Sequence, residues 1–543
     1  MLDKNNEIFK KILGENALPS EQQLKICDFV SHGIGNGCVE ARAGCGKSKT
    51  IELCANFIPQ NKKVLIVAFN KNIADHLKEK LANNTNVDVM TYHSLGYSIL
   101  KTRYNNLNLD DDKYKKYILS NIEEINPDFP QLKGPQKARY IANIQKLFNY
   151  TRYNLCQSKK EIEKLVTKYG VTVFSNEVDA VIHLIKWGSK NVSTVDFQDM
   201  IWLPYELGIT GGIYRFSYDF IFVDEAQDSS LAQQNLVKIC EKRNTRYLIV
   251  GDTSQCINSW AGSDFKSFET FKKKLKTKQF DLNVSYRCPK SVGILAQKYV
   301  HNFLTLDTAI NGTVQYNVPI SAIKEGDMVL CRLTSPLVRL YLDLIDKGRK
   351  VYVKGLGIGQ QMIDFLKNFN EQDLNKIREG LYNNIISVWE GFADLYGCDL
   401  KSAANNPEIM LLYDDILIFD ALTKDITTVD ELYDKINRLF INQKEVSTED
   451  KNVIHLSTVH KAKGLENDNV FILCPSMMPS KLASLDWEKA SEENLIYVAY
   501  TRAKKTLNFI SEKDFPPDKS YSGTDALYSE LKKIKKIIES SSE

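Results

Sequence analysis

Seven short apolar runs rich in β-forming residues punctuate the chain: KVLIVAF (63–69), DFIFVD (219–224), RYLIVGD (246–252), DMVLCR (327–332), KVYVKG (350–355), VIHLST (453–458) and NVFILC (469–474). They do not alternate apolar with polar, which is the pattern of strands covered on both faces in a parallel sheet. Helical spacing fills the gaps between them. In NKNIADHLKEKLANN, Ile73, Leu77 and Leu81 recur every fourth residue and line one face. Strands alternating with helices predict an α/β fold with parallel sheets. Two stretches break the alternation. Residues from about 105 to 190 are helical almost throughout, with Ile141, Ile144 and Leu147 at helical spacing, and residues from about 365 to 445 are helical, polar and strand-poor. The pattern therefore predicts two α/β cores, each interrupted by a helical insertion. The last thirty or so residues form a lysine-rich helix and a serine-rich tail expected to fray.

Composition removes some classes of function. No apolar run approaches the roughly 18 residues a membrane span needs, and the charged start MLDKNNEIFKKILGEN lacks the apolar core of a secretory signal. The 11 cysteines form no C-x-x-C pair and no Cys/His cluster, so they read as small buried hydrophobes and free thiols of a reducing compartment, and nothing suggests a structural zinc or iron–sulfur site. A net charge of +3 neither demands nor excludes a nucleic-acid partner.

The chemistry begins in CVEARAGCGKSKT (38–50), where Ala43, Gly44, Cys45, Gly46, Lys47, Ser48 and Lys49 lead into a helix. Backbone amides of such a loop and of the helix start wrap phosphates. Lys47 is expected to reach the β/γ-phosphates of ATP and Ser48 to ligate Mg²⁺. Ala41 stands where the first glycine of this pattern is usual. In FIFVDEAQDSS a strand delivers Asp224, suited to the Mg²⁺ shell, and Glu225, suited to act as general base on the attacking water. Loop and acidic pair together predict an ATPase.

DEAQD is also the hallmark of the UvrD/Rep-type superfamily 1 helicases, and the chain resembles that family from residue 18 to 507 in the family's motif order. LPSEQQ resembles the adenine-reading Q motif with Gln22 in the key position. VAFNKNIADHL and MTYHSLGYSIL resemble motifs Ia and Ib, and VDFQDM resembles the DNA-contacting motif before the acidic strand. VGDTSQCINSWAGS, LNVSYRCP, STVHKAKGLE and EENLIYVAYTRAKKTL resemble motifs III to VI. The wording is similar to the F-box DNA helicase branch and its compact viral and bacterial relatives, although the roughly seventeen residues before the Q motif leave no room for an F-box.

The resemblance implies two RecA-like P-loop domains with ATP in the cleft between them and single-stranded DNA across their tops. On that reading residues 1–104 and 191–279 form the first domain around an insertion at 105–190. Residues 280–364 and 446–511 form the second around a reduced insertion at 365–445, with 512–543 as a tail. Arg287 and Arg502 match the family's γ-phosphate arginines, acting in the manner of an arginine finger. Gln255 and Gln227 match the γ-phosphate and coupling positions, Tyr286 the aromatic on the adenine, and Gly464 and Glu466 the nucleotide side of motif V, with Glu466 at the ribose. Phe69, Asn70, Tyr92, His93, Phe197 and Trp260 match positions that face the strand, and Thr458 and His460 match backbone contacts. Trp260, in a polar loop between Ser259 and Ala261, is the strongest expected stacking residue.

The chain departs from the family at Asn258 and Ala261, where a tyrosine and an arginine are usual, and at Asn494, where an arginine is frequent. No nuclease-like constellation follows motif VI. The implied activity is ATP-dependent 3′→5′ translocation and unwinding on single-stranded and tailed duplex DNA, in replication, recombination or repair. Two alternatives stand beside it: a translocase that strips a recombinase or single-strand-binding protein, and a DNA-sensing ATPase that regulates a partner nuclease. The setting would be cytoplasmic for a bacterial or phage protein, and nuclear or a viral factory for a eukaryote or its virus.

Overall fold

The computed structural model describes residues 7–14, 17–132, 134–171, 176–209, 214–257, 266–353, 372–441, 450–483 and 485–541, with Asp3, Val173, Ile363 and Leu366. The chain divides into two compact units, Met1–Ser285 and Tyr286–Glu543.

The first unit is built on a six-stranded parallel sheet in the order Val87–Thr91, Val64–Ala68, Tyr218–Val223, Glu241–Gly251, Gly37–Ala41 and Lys278–Leu282. The Val64–Ala68 strand is buried at all five positions, as an unbroken apolar run requires. The outer strands Val87–Thr91 and Lys278–Leu282 are partly exposed, and their polar residues hid them from the apolar pattern. Helices cover both faces. One side holds Phe9, Ile26, Ile51 and Leu53; the other holds Leu95, Ile99, Ile144, Leu147, Phe148 and Trp202, so helices from the 105–190 stretch share a core with the sheet. Because all strands run one way, their carboxyl ends lie along one edge, where open α/β sheets bind ligands.

The second unit repeats the plan, again six strands and all parallel, in the order Thr313–Val318, Ala503–Ile510, Asn467–Ile472, Met328–Cys331, Ile454–Thr458 and Val351–Val353. Helices Leu374–Tyr396, Pro407–Thr423 and Val429–Ile436 fill the stretch between strands Val351–Val353 and Ile454–Thr458 and pack into the same core as the sheet. The carboxyl-terminal helix joins that core. Thr524–Ser541 buries Leu527 and Leu531 against that core, and Tyr528 meets Trp389 edge-on at 5.7 Å. Each buried leucine contributes on the order of 1.5–3 kcal/mol, enough to fix a helix that its lysines alone would leave in solvent. Among the described residues no helix is long and apolar enough to cross a membrane.

Candidate functional site

The edge of the first sheet gathers three loops. After Gly37–Ala41 the chain turns through Gly44 (φ 70°) and Gly46 (φ 83°), left-handed conformations that glycine adopts without a Cβ clash, and enters helix Lys47–Asn56. No side chain caps that helix, so its first amides are left for an anion. Thr50 Oγ1 donates to the Gly46 carbonyl at 2.9 Å and accepts from Gln23 Nε2 at 3.3 Å, which ties the loop to the helix carrying Gln22. Gln22 itself is engaged twice by Asn283, its Nε2 donating to Oδ1 at 2.7 Å and its Oε1 accepting the Asn283 amide at 3.2 Å.

Lys47 Nζ lies 2.6 Å from Glu225 Oε1. Burial opposes the ammonium charge, but Glu225, Asp252 and Asp224 outweigh it and push the Lys47 pKa above its ordinary value. Asp224 is buried at the end of the Tyr218–Val223 strand, and its Oδ1 accepts the Glu225 amide at 2.9 Å. Glu225 holds a left-handed backbone (φ 49°), unusual for a residue with a side chain and typical of positions where a site stores strain. Gln227 bridges outward: its Nε2 donates to Glu225 Oε2, and its Oε1 accepts the Asp252 amide at 3.0 Å. Asp252, buried after the Glu241–Gly251 strand, accepts from Gln255 Nε2 at 2.6 Å and from Arg42 Nη1 at 3.0 Å. One connected network therefore runs from Lys47 through Glu225, Gln227 and Asp252 to Gln255 and Arg42.

Asp252 and Arg42 were not foreseen as site residues. The signal for them was present as a second carboxylate closing an apolar strand, in YLIVGD, and a basic residue inside the glycine-rich loop. The Lys49 ammonium is engaged by Glu52 at 3.0 Å and donates to the Ile12 carbonyl at 3.2 Å. Ala43 and Cys45 are buried, and burial pushes the Cys45 thiol up to about 12, which leaves it inert. The donor set of ammonium, uncapped helix start, Ser48 hydroxyl and Asp224 carboxylate fits a polyphosphate with a hard divalent cation. Among the described residues no group of three or more His, Cys, Asp and Glu could hold a metal ion.

The strand-facing candidates of this unit part company. Phe69 is half-buried, and Asn70 is exposed and caps helix Lys71–Lys80, accepting the Ile73 amide at 2.9 Å. Tyr92 does not face outward. It is 1% exposed, packed in the core, with its hydroxyl 2.7 Å from Ser229 Oγ, because its position opening helix Tyr92–Leu100 turns it under the sheet edge. The next residue, His93, is half-buried and meets Phe197 edge-to-face at 5.6 Å, and Phe197 is 46% exposed. Trp260, with Asn258 and Ala261, lies outside the described residues.

In the second unit Arg287 Nε donates to Glu466 Oε2 at 2.5 Å, so the guanidinium expected at the phosphate and the carboxylate expected at the ribose are paired with each other. Arg502 is 1% exposed and donates to the carbonyls of Val498 and Leu465 and to Thr501 Oγ1 at 2.9, 3.1 and 3.2 Å. Burial and the neighbouring Arg287 bring its pKa down to about 10, still charged at neutral pH. Tyr286 is 48% exposed, a flat ring open to a ligand. Gly464 (φ 87°) has open space where a Cβ would stand, and Thr458 closes the Ile454–Thr458 strand. Burial, aided by Arg332, holds the half-buried His460 down to about 3, so it is neutral at physiological pH.

Comparison with known proteins gives this geometry its family. The profile of the UvrD/REP helicase N-terminal domain matches residues 21–276, and that of the UvrD-like helicase C-terminal domain matches residues 453–510. ATP-dependent DNA helicase Rep of Buchnera aphidicola is 25% identical over 272 residues, which cover 47% of this chain and 38% of that protein. The probable DNA helicase II homolog of Mycoplasma capricolum is 22% identical over 596 residues, 86% of this chain and 81% of that protein. F-box DNA helicase protein 1 of Schizosaccharomyces pombe is 24% identical over 511 residues, 86% of this chain and 55% of its own length. With two parallel-sheet units, a phosphate loop joined to DEAQD in the first, and one family's amino- and carboxyl-terminal profiles falling in order on the two, the chain belongs to the UvrD/Rep family of superfamily 1 ATP-dependent DNA helicases.

Proposed function

We propose that the protein is a motor that moves 3′→5′ on single-stranded DNA and unwinds tailed duplexes, driven by ATP hydrolysis at the Lys47–Glu225 site. The observation that carries this reading is the 2.6 Å contact between Lys47 and Glu225 and its continuation through Gln227 to Asp252 and Gln255. In it the phosphate cation and the base neutralise each other. An arriving polyanion competes for Lys47 Nζ and frees Glu225 Oε1 to accept a proton from water. When bound, Mg²⁺–ATP supplies the scissile phosphoanhydride and the cation that polarises it, with Ser48 and Asp224 as the ligands this chain offers. Gln227 ties the base to the loop that leads toward Trp260, so a change at Glu225 is passed to the strand side. Arg287 and Arg502 carry the arginine role and Tyr286 the adenine contact, while His93, Phe197, Asn70 and Phe69, with Thr458 and His460, contact the strand. Polarity rests on the relatedness to Rep and DNA helicase II proteins. The test is a translocation assay on oligothymidylates labelled at one end: arrival of the protein at the 5′ end is expected, and arrival at the 3′ end would reverse the assignment.

A further inference from the structure

The helix that carries Phe197 begins in a buried ion cluster that the nucleotide chemistry does not use. Arg152, in helix Gly134–Asn154, places Nη1 2.8 Å from both carboxylate oxygens of Asp196 and 3.1 Å from Asp199 Oδ1. Lys113, at the start of helix Lys113–Ser120, places Nζ 2.6 Å from Asp199 Oδ2, and the Tyr114 hydroxyl donates to Asp199 Oδ1 at 2.7 Å. The side chains of Lys113 and Arg152 are 3% exposed and that of Asp199 is fully buried. The guanidinium lies 4.3 Å from the centre of the Phe148 ring and 4.8 Å from that of the Tyr114 ring.

The two carboxylates are the capping box of helix Phe197–Glu206. The Asp199 amide donates to Asp196 Oδ1 at 2.6 Å and the Asp196 amide to Asp199 Oδ2 at 3.3 Å, with Phe197 the first residue inside. A third carboxylate, Asp111, lies near Asp196 and the Phe197 amide. Three acidic groups thus surround the base of a side chain expected to meet a polyanion. Among the described residues the ion pairs to Asp196 and Asp199 come from Lys113 and Arg152, both in the 105–190 helices. A buried ion cluster stabilises a fold poorly compared with an apolar one, but it can fix a unique geometry.

We propose that Arg152 and Lys113 are positioning residues for single-strand contact: through them the helical insertion sets the first turn of helix Phe197–Glu206, and with it the orientation in which Phe197 and His93 meet a base. The proposal rests on the reading of Phe197 and His93 as strand-contacting residues. It makes the insertion part of the grip, acting from beneath it.

A double-mutant cycle on the full chain separates the two layers. Binding of an oligothymidylate of about 16 nucleotides is measured by anisotropy, with mant-ADP affinity and melting temperature read in parallel. Phe197→Ala is expected to weaken strand binding by about 5- to 150-fold, the loss of one stacked base. Arg152→Lys, which keeps the charge but not the bridging geometry, is expected to weaken it about tenfold, within the couplings seen between contacting residues, with mant-ADP affinity unchanged. In the Phe197→Ala background Arg152→Lys should do nothing further. Lys113→Gln leaves the Arg152 bridges in place, is the second probe should the first melt early, and should weaken binding about threefold through the same pathway. Additive losses, wild-type strand binding in Arg152→Lys, or parallel loss of mant-ADP affinity would overturn the positioning role. Wild-type strand binding in Phe197→Ala would instead overturn the strand-contact reading beneath it.

Discussion

Gly251 ends the strand before Asp252, and a Cβ there would stand 2.5 Å from Gln227 Oε1 and 3.2 Å from the Gln227 amide. Gly251→Ala must therefore displace the amide that joins Glu225 to Asp252. The expected outcome is a tenfold or greater fall in DNA-stimulated kcat, roughly the 1.4 kcal/mol that a factor of ten represents, with an overpacking cost of about 1–3 kcal/mol in stability. Wild-type turnover in this variant would remove Gln227 from the coupling route. His460 makes a separate prediction. Its pKa in the folded chain is about 3, against an ordinary 6.5. As the pH falls below 6.5 the unfolded chain takes up a proton that the native chain refuses, so His460 lowers stability on the acid side and has no such effect above it. Melting curves should show His460→Gln losing less stability than wild type between about pH 7 and about pH 5; equal slopes would contradict the desolvated histidine. At this scale the loop and acidic pair were legible because each role is fixed by a few adjacent residues. Tyr92 was misread because one position along a helix start decides between core and surface, and adjacent residues look alike in sequence. Arg42 and Asp252 escaped because their partnership spans 210 positions of chain.

Helix Tyr92–Leu100 and helix Phe197–Glu206 touch backbone to backbone at Gly96, where a Cβ would lie 1.8 Å from the Met200 carbonyl oxygen. No side-chain rotation can relieve that contact. Gly96→Ala should force the helices apart at a cost at or above the upper end of the usual 1–3 kcal/mol for overpacking, visible as a lower melting temperature. Because His93 and Phe197 open these two helices, strand affinity should fall further than nucleotide affinity; an unchanged melting temperature would contradict the close approach. Among elements, the apolar buried strands were the readable ones, whereas Gly37–Ala41, buried but interrupted by Glu40, was not among the runs read as strands. Lys278–Leu282 and Thr313–Val318 are largely exposed edge strands, and Ala503–Ile510 begins with two lysines, so none shows an unbroken apolar run. The carboxyl-terminal helix, legible as lysine-rich, is held to the core by Leu527, Leu531 and Ile534, whose spacing puts them on one face.

For the molecule as a whole, two units of the same plan divide the chemistry. The first holds Lys47, Ser48, Asp224 and Glu225, proposed as phosphate lysine, cation ligands and base, and the second holds Arg287 and Arg502. Arg502→Ala is expected to lower kcat by roughly 10³ or more if it acts as an arginine finger, while leaving strand binding near wild type. A fall of less than tenfold would assign Arg502 to packing, consistent with its three backbone and hydroxyl acceptors. Protein stripping or control of a partner nuclease would show as turnover without strand separation. Single-turnover unwinding of a 3′-tailed duplex, run with wild type and Glu225→Gln and with ATP and ADP, tests the motor most directly. Wild type with ATP should separate the strands, ADP should not, and Glu225→Gln should bind mant-ATP normally yet unwind at least about 10²-fold more slowly, the usual worth of a general base. Equal unwinding by Glu225→Gln, or strand separation without ATP, would contradict hydrolysis at this site as the source of movement.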